Sequence, residues 1–284
     1  MSSTSVALCT YNGEQFLKQQ LDSLAAQTVL PDELIICDDA SSDGTILIAE
    51  KFSINSKFKV RIFRNVKNFG YVKNFEKAIS LCQSNIIFLC DQDDLWAPDK
   101  IQQVVAVFDA ESAVGLVFHG FKKIDSRGLN YLEAEEVYGV DKLTSSQLPK
   151  EIINNSIKIF LFPNPRAWCG CMMAFRRDFN DVIIPIFPGK GHDDWILKVI
   201  APLSEVRFIS KPLIEYRIHD GNSNNFEVKK KTFRIHISRL LMRIGRVFKG
   251  YSKKSFYREL IKRIGCSDFT LQHPELIKIY KKFI

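Results

Sequence analysis

The sequence predicts an α/β fold built on a mostly parallel sheet with helices on both faces. Three observations carry that expectation. Strand-like and helix-like segments alternate through the first 120 residues. The strands are short and apolar throughout, as expected of strands buried on two faces rather than one. Polar, acidic clusters follow three of the strands, at the edge where open α/β sheets bind ligands.

Taken in order, Val6-Ala7-Leu8-Cys9 is the first apolar run, and the turn-prone Asn12-Gly13 ends it. Phe16, Leu17, Leu21 and Leu24 then recur at helical spacing. Leu34 to Cys37 is a second strand, closing on Asp38-Asp39 and the loop Ala40-Ser41-Ser42-Asp43-Gly44. A helix over 45–52, a strand over 60–63, a helix over 70–81 and a strand over 86–90 follow. A helix over 98–108 and a strand over 114–118 complete the series. Residues 121–165 are polar and irregular. Beyond them stand the apolar run 168–175, the acidic cluster His192-Asp193-Asp194-Trp195 opening a helix, and the strand-like run Leu213 to His219.

Bulk properties narrow the function classes. With 284 residues, 46% hydrophobic and 25% charged, the chain can bury a sizeable core. No segment approaches the roughly 20 apolar residues of a membrane span, and the first strand begins too early for a signal peptide. The seven cysteines are odd in number and mostly lie in apolar segments, which suits a reducing cytosol. Cys169 and Cys171 lack a second Cys/His pair at zinc spacing. Neither a dinucleotide fingerprint nor a Walker A sequence is present, which weighs against dehydrogenases and ATPases.

Asp91-Gln92-Asp93-Asp94 is the densest chemical signal. Three carboxylates at the end of a buried strand repel one another, and a hard divalent cation, Mn²⁺ or Mg²⁺, is the usual remedy. The competing reading is an acidic helix start, with Asp93 or Asp94 as cap and Pro98 in the next first turn. Asp38-Asp39 reads either as a ligand group or as an Asx turn, and Asp193-Asp194 either as a base or as a helix cap.

Five segments in order resemble the family 2 glycosyltransferases. They are Cys9-Thr10-Tyr11-Asn12-Gly13, Cys37 to Thr45, Asp91-Gln92-Asp93-Asp94-Leu95-Trp96, His192-Asp193-Asp194-Trp195 and Tyr216-Arg217-Ile218-His219. The third and fourth are similar to those of bacterial rhamnosyltransferases of surface-polysaccharide synthesis. The resemblance implies a GT-A nucleotide-sugar fold over residues 1–225. It places Thr10, Tyr11, Asn12, Glu14, Asp38, Asp39 and Asp91 around the nucleotide, with Asp39 or Asp38 accepting from a pyrimidine N3–H. Asp91, Asp93 and His219 would hold the metal, and Asp193, with Asp194 as rival, would be the general base of an inverting transfer. Trp96, Trp168, Gly170, Cys171, Trp195 and Arg217 would line the sugar and acceptor pocket, although each Trp reads equally as core. The Gln-x-x-Arg-Trp signature of processive synthases is absent, which implies single-sugar addition. The leading donor is dTDP-L-rhamnose, ahead of UDP-hexoses. A nucleotidylyltransferase and an inactive scaffold are the competing functions.

Charge is uneven. Residues 226–284 hold 16 Lys/Arg against 4 Asp/Glu, a local charge of +12, whereas the preceding 225 carry −4. Apolar residues from Phe233 to Phe248 recur at three and four, as in an amphipathic helix with a cationic face. The expectation is a peripheral helix on anionic lipid at the cytoplasmic face, reaching a lipid-linked saccharide acceptor; the alternative is a helix docked on the body. No nucleic-acid-binding motif accompanies the charge.

Overall fold

The computed structural model describes residues 1–129, 169–189, 191–201, 203–220, 259 and 262–263. Trp168 and nearly all of the basic tail therefore lie outside the described residues. So does the segment 130–168.

Strands β1 (Thr4–Thr10), β2 (Glu33–Asp38), β3 (Lys59–Arg64) and β4 (Ile86–Cys90) alternate with helices α1 (Leu17–Ala25), α2 (Thr45–Asn55) and α3 (Tyr71–Leu81). There follow β5 (Leu95–Trp96), α4 (Lys100–Ala110), β6 (Val114–Ile124), β7 (Met173–Arg176), α5 (Asn180–Ile183), α6 (His192–Ile200) and β8 (Glu205–Arg217). The eight described strands form one curled sheet in the order β3-β2-β1-β4-β7-β6-β8-β5. Pairs β3–β2, β2–β1, β1–β4 and β6–β8 are parallel; β7 runs antiparallel between β4 and β6, and β5 antiparallel to β8.

The apolar runs follow from burial on two sides. Ala7, Ile35, Ile87 and Leu89 meet Phe75 and Ile79 of α3 and Trp195 and Ile196 of α6. Their neighbours Val6, Leu8, Ile36 and Phe88 meet Leu17 and Leu21 of α1 and Val104 and Phe108 of α4. Each such side chain contributes roughly 1.5–3 kcal/mol by leaving water, so a charge at Leu8 or Ile35 would unseat a whole layer.

Register places the site. Thr10 pairs with Asp38, and Leu8 with Cys90, so β1, β2 and β4 end together. Tyr11, Asp39 and Asp91 consequently emerge at one edge. Three segments differ from the sequence expectation; one is β8, which begins at Glu205 rather than Leu213. β6 continues beyond residue 118 to Ile124, because β8 pairs along it through several register shifts, leaving Lys122 exposed and Lys123 buried. The run ending at Phe175 divides into a 3₁₀ turn, Gly170–Met172, and β7.

Candidate active site

The loops after β1 and β2 are bonded into one unit. Asp38, wholly buried, accepts from the Thr10 hydroxyl at 3.0 Å, from the Ser41 N–H at 2.9 Å and from the Ser41 hydroxyl. Asp39 accepts from Asn65 Nδ2 at 2.8 Å, the Phe69 N–H at 2.9 Å and the Gly70 N–H at 2.8 Å. Asn12 donates its N–H to Ser41 Oγ and accepts from the Ser42 N–H; Glu14 accepts from the Gly44 N–H at 2.8 Å. Asn12 and Ala40 hold positive φ, 47° and 65°, and Asn, whose short amide bonds locally, tolerates this better than most residues. Tyr11 projects from this frame, about half exposed.

Gln92 joins that frame to the acidic tetrad. It accepts from the Tyr11 N–H at 2.8 Å and donates to the Tyr11 carbonyl at 3.0 Å. In the tetrad itself, Asp93 Oδ2 lies 2.9 Å from His219 Nε2, whose ring packs on Phe16. Burial, with the charges of Asp93 and Asp193 nearby, pushes Asp91 up to about 7. Burial, with Asp93 and Asp91, also raises Asp94 well above the carboxylate range. Lys100 is wholly buried, which pulls it down to about 8; it donates to the Cys171 carbonyl at 2.8 Å and lies 3.7 Å from the centre of the Trp96 ring. Crowded carboxylates that burial drives toward neutrality, with an imidazole on Asp93, form a donor set that fits a hard divalent cation.

Across the edge, α6 begins with the second acidic pair. Asp194 is ion-paired to Lys198 at 2.5 Å. Asp193 accepts only the Asp194 N–H, at 2.8 Å, among the described residues, and its charge reaches Asp91 and Tyr71. Beside it opens a cavity of about 440 Å³ lined by Tyr71, Val72, Ile186, Pro188, Gly189 and Gly191, with Lys73 at its rim.

Several pocket expectations change. Trp195 is 0% exposed and gives its indole N–H to the Ile183 carbonyl at 2.7 Å, so it is core and not a sugar platform. Trp96, at 4% exposed, packs on Phe88 beneath Lys100. Arg217 is also fully buried: it donates its N–H to Asp94 at 3.0 Å, Nε to the Asp93 carbonyl at 2.8 Å and Nη2 to Gln19 at 2.7 Å. It fastens β8 to the tetrad and does not face a sugar. Gly170 and Cys171 are buried as well, and a Cβ at position 170 would meet the His192 ring. Gln92, Lys100 and the Ser41 hydroxyl went unassigned in the sequence. Gln92 stood inside the tetrad and offered a signal, whereas Lys100 on a helix reads as solvent-facing until the fold is known.

The model of the glycosyl transferase family 2 matches residues 5–184. The chain belongs to family 2 of the glycosyltransferases. Among its relatives, the dTDP-rhamnosyl transferase RfbG of Shigella flexneri is 32% identical, over 82% of this chain and 79% of that protein. An uncharacterized glycosyltransferase of a Nostoc species is 27% identical over 78% of this chain, which spans 66% of its length. Solved structures agree on the fold. The 1–349 portion of Staphylococcus aureus TarS in complex with UDP superposes at a TM-score of 0.58 and 18% identity, over 97% of this chain and 69% of that one. The Pyrobaculum calidifontis mannosyltransferase PcManGT, with GDP-Man and Mn²⁺, gives 0.53 and 20%, over 74% and 55%. The curled sheet with its flanking helices is thus the GT-A fold, and the chain carries a family 2 glycosyltransferase domain.

Proposed function

We propose that this enzyme moves one sugar, with inversion, from a nucleoside-diphosphate sugar to a hydroxyl of a lipid-linked saccharide. L-rhamnose from dTDP-rhamnose is the leading donor, supported by the 32% identity to RfbG over most of both chains. UDP-hexoses are the second reading, supported by the UDP in TarS. The observation that carries the chemistry is Asp193, a carboxylate with an uncommitted oxygen beside a cavity and within electrostatic reach of Asp91. One such base suffices for a single displacement.

Asp93, Asp91 and His219 would hold Mn²⁺ or Mg²⁺, as suggested by the Mn²⁺ in PcManGT. When bound, that ion would neutralise the diphosphate and stabilise it as leaving group. The bonded frame of Asp38, Asp39, Asn12 and Glu14 shapes the nucleotide cleft, and Asp193 takes the proton of the acceptor hydroxyl. The cavity between Tyr71 and Gly191 receives the acceptor. The basic segment 226–284 would hold the enzyme at the cytoplasmic face of the membrane by attraction to anionic lipid. Part of it also touches the body: Arg263 donates to the Pro185 carbonyl at 2.6 Å and lies over Trp195.

Calorimetry with dTDP-rhamnose, UDP-glucose, UDP-galactose and UDP-N-acetylglucosamine, with and without Mn²⁺, tests the reading. One donor should bind in a metal-dependent way and lose affinity in Asp93→Ala. Binding indifferent to Mn²⁺ and to Asp93 would overturn the metal assignment, and silence across the panel would overturn the donor assignment.

A further inference from the structure

The two thiols that flank Gly170 were set aside in the sequence for want of a partner. The fold supplies one. Cys169 Sγ and Cys171 Sγ lie 3.3 Å apart, and an Asp91 carboxylate oxygen lies within 4.8 Å of both. Both thiols are buried and Asp91 is partly exposed. The ligand set is two sulfurs and one oxygen, which is softer than the oxygen-rich Asp93–His219 side of the tetrad. Tetrahedral Zn–S bonds of ~2.3 Å place two sulfurs about 3.8 Å apart. The observed separation is short of that by about half an ångström, within the reach of small χ1 adjustments.

We propose that Cys169, Cys171 and Asp91 form a binding site for a thiophilic divalent cation such as Zn²⁺, overlapping at Asp91 the hard-cation site proposed above. Binding converts the two thiols to metal-bound thiolates and releases two protons to solvent, leaving a fourth position for water. Lys100, on the Cys171 carbonyl, holds the turn that presents the sulfur. Since Asp91 would be shared, Zn²⁺ here would block transfer. That consequence alone rests on the donor-site role proposed for Asp91.

The test uses reduced, chelator-treated full-length enzyme titrated with Zn²⁺ against a chromophoric chelator, and with Cd²⁺ to read thiolate-to-metal charge transfer in the ultraviolet. One ion per chain with a thiolate band is expected. The band should vanish in Cys169→Ser/Cys171→Ser and persist in Cys82→Ser. Binding without the band, or a band unchanged in the double variant, would overturn the site. As a check independent of variant folding, mass-mapped alkylation of the wild-type chain should show Zn²⁺ slowing modification of Cys169 and Cys171 far more than that of Cys82. Equal slowing overturns the proposal. A bound ion with a thiolate band but undiminished turnover overturns only the inhibitory consequence.

Discussion

The two sides of the cleft handle their polar groups in opposite ways. On the β1–β2 side every carboxylate assigned to the nucleotide is engaged by the fold: Asp38 by Thr10 and Ser41, Asp39 by Asn65 and two backbone N–H groups, Glu14 by Gly44. On the α6 side Asp193 accepts one N–H from its own helix, and neither ring nitrogen of buried His192 has a partner among the described residues. A carboxylate saturated with donors is fixed in place and has little lone-pair capacity for a proton. One with an open oxygen can take it. The contrast separates the groups that shape the cleft from the group proposed to react, and it can be broken experimentally.

The largest effect is expected at Asp193. Asp193→Asn should lower kcat by about 10²–10⁴-fold, the usual worth of a general base, with nucleotide affinity unchanged by calorimetry. Asp194→Asn should keep turnover near normal, since that carboxylate is committed to Lys198; a collapse there instead would reassign the base. The same side of the cleft rests on Trp195, whose loss is a matter of packing. Trp195→Ala should cost about 3–5 kcal/mol in chemical unfolding, while Trp195→Phe, which keeps most of the volume, should cost far less and leave donor affinity unchanged. A selective loss of donor affinity in Trp195→Phe would return that ring to the pocket.

What could be read in the sequence follows a physical divide. Alternation and apolar runs are backbone-periodic, so β1 to β4 and their helices were legible, as was the shared edge carrying Tyr11, Asp39 and Asp91. Clustered charge is also local, so the tetrad and the His192–Asp194 pair stood out. Side-chain direction is not local. The resemblance placed Trp96, Trp195 and Arg217 in the pocket, yet all three are buried, Trp96 and Arg217 on strands and Trp195 on α6. Lys100 looked like a surface cation and lies at the bottom of the acidic cluster. The thiols of Cys169 and Cys171 lacked a partner only until β4 carried Asp91 beside them.

At the far end of the same strands, a third prediction concerns pH. Burial raises Glu33, but hydrogen bonds from Ser5 and the Gln83 N–H, together with Arg61 at 2.8 Å, outweigh it and hold the carboxyl below its usual 4.5. A lowered native value means the stabilisation is present above pH 4.5 and is lost as pH falls through the native value. Glu33→Gln should therefore cost about 1.5–3 kcal/mol near neutrality and flatten the acid limb of stability against pH, as read by urea unfolding. An unchanged acid limb would show that Glu33 does not pin β1 to β2.

The smallest effect sharpens the comparison most. Gln92 bonds the tetrad loop to the β1 loop, through both the N–H and the carbonyl of Tyr11. Gln92→Ala removes no charge and no proposed ligand, and it leaves Asp91 and Asp93 in place. Two net hydrogen bonds of roughly 0.5–1.5 kcal/mol each are at stake, and part of that is recovered by water at this exposed position. If the donor side works by preorganisation, the nucleotide should bind about tenfold more weakly while the pH dependence of kcat, assigned by the proposal to Asp193 across the cleft, stays as it was. A shift in that pH profile would mean the two sides are coupled through Tyr11. Unchanged affinity would mean that the Asp38 and Asp39 networks hold the nucleotide loop without help from the tetrad.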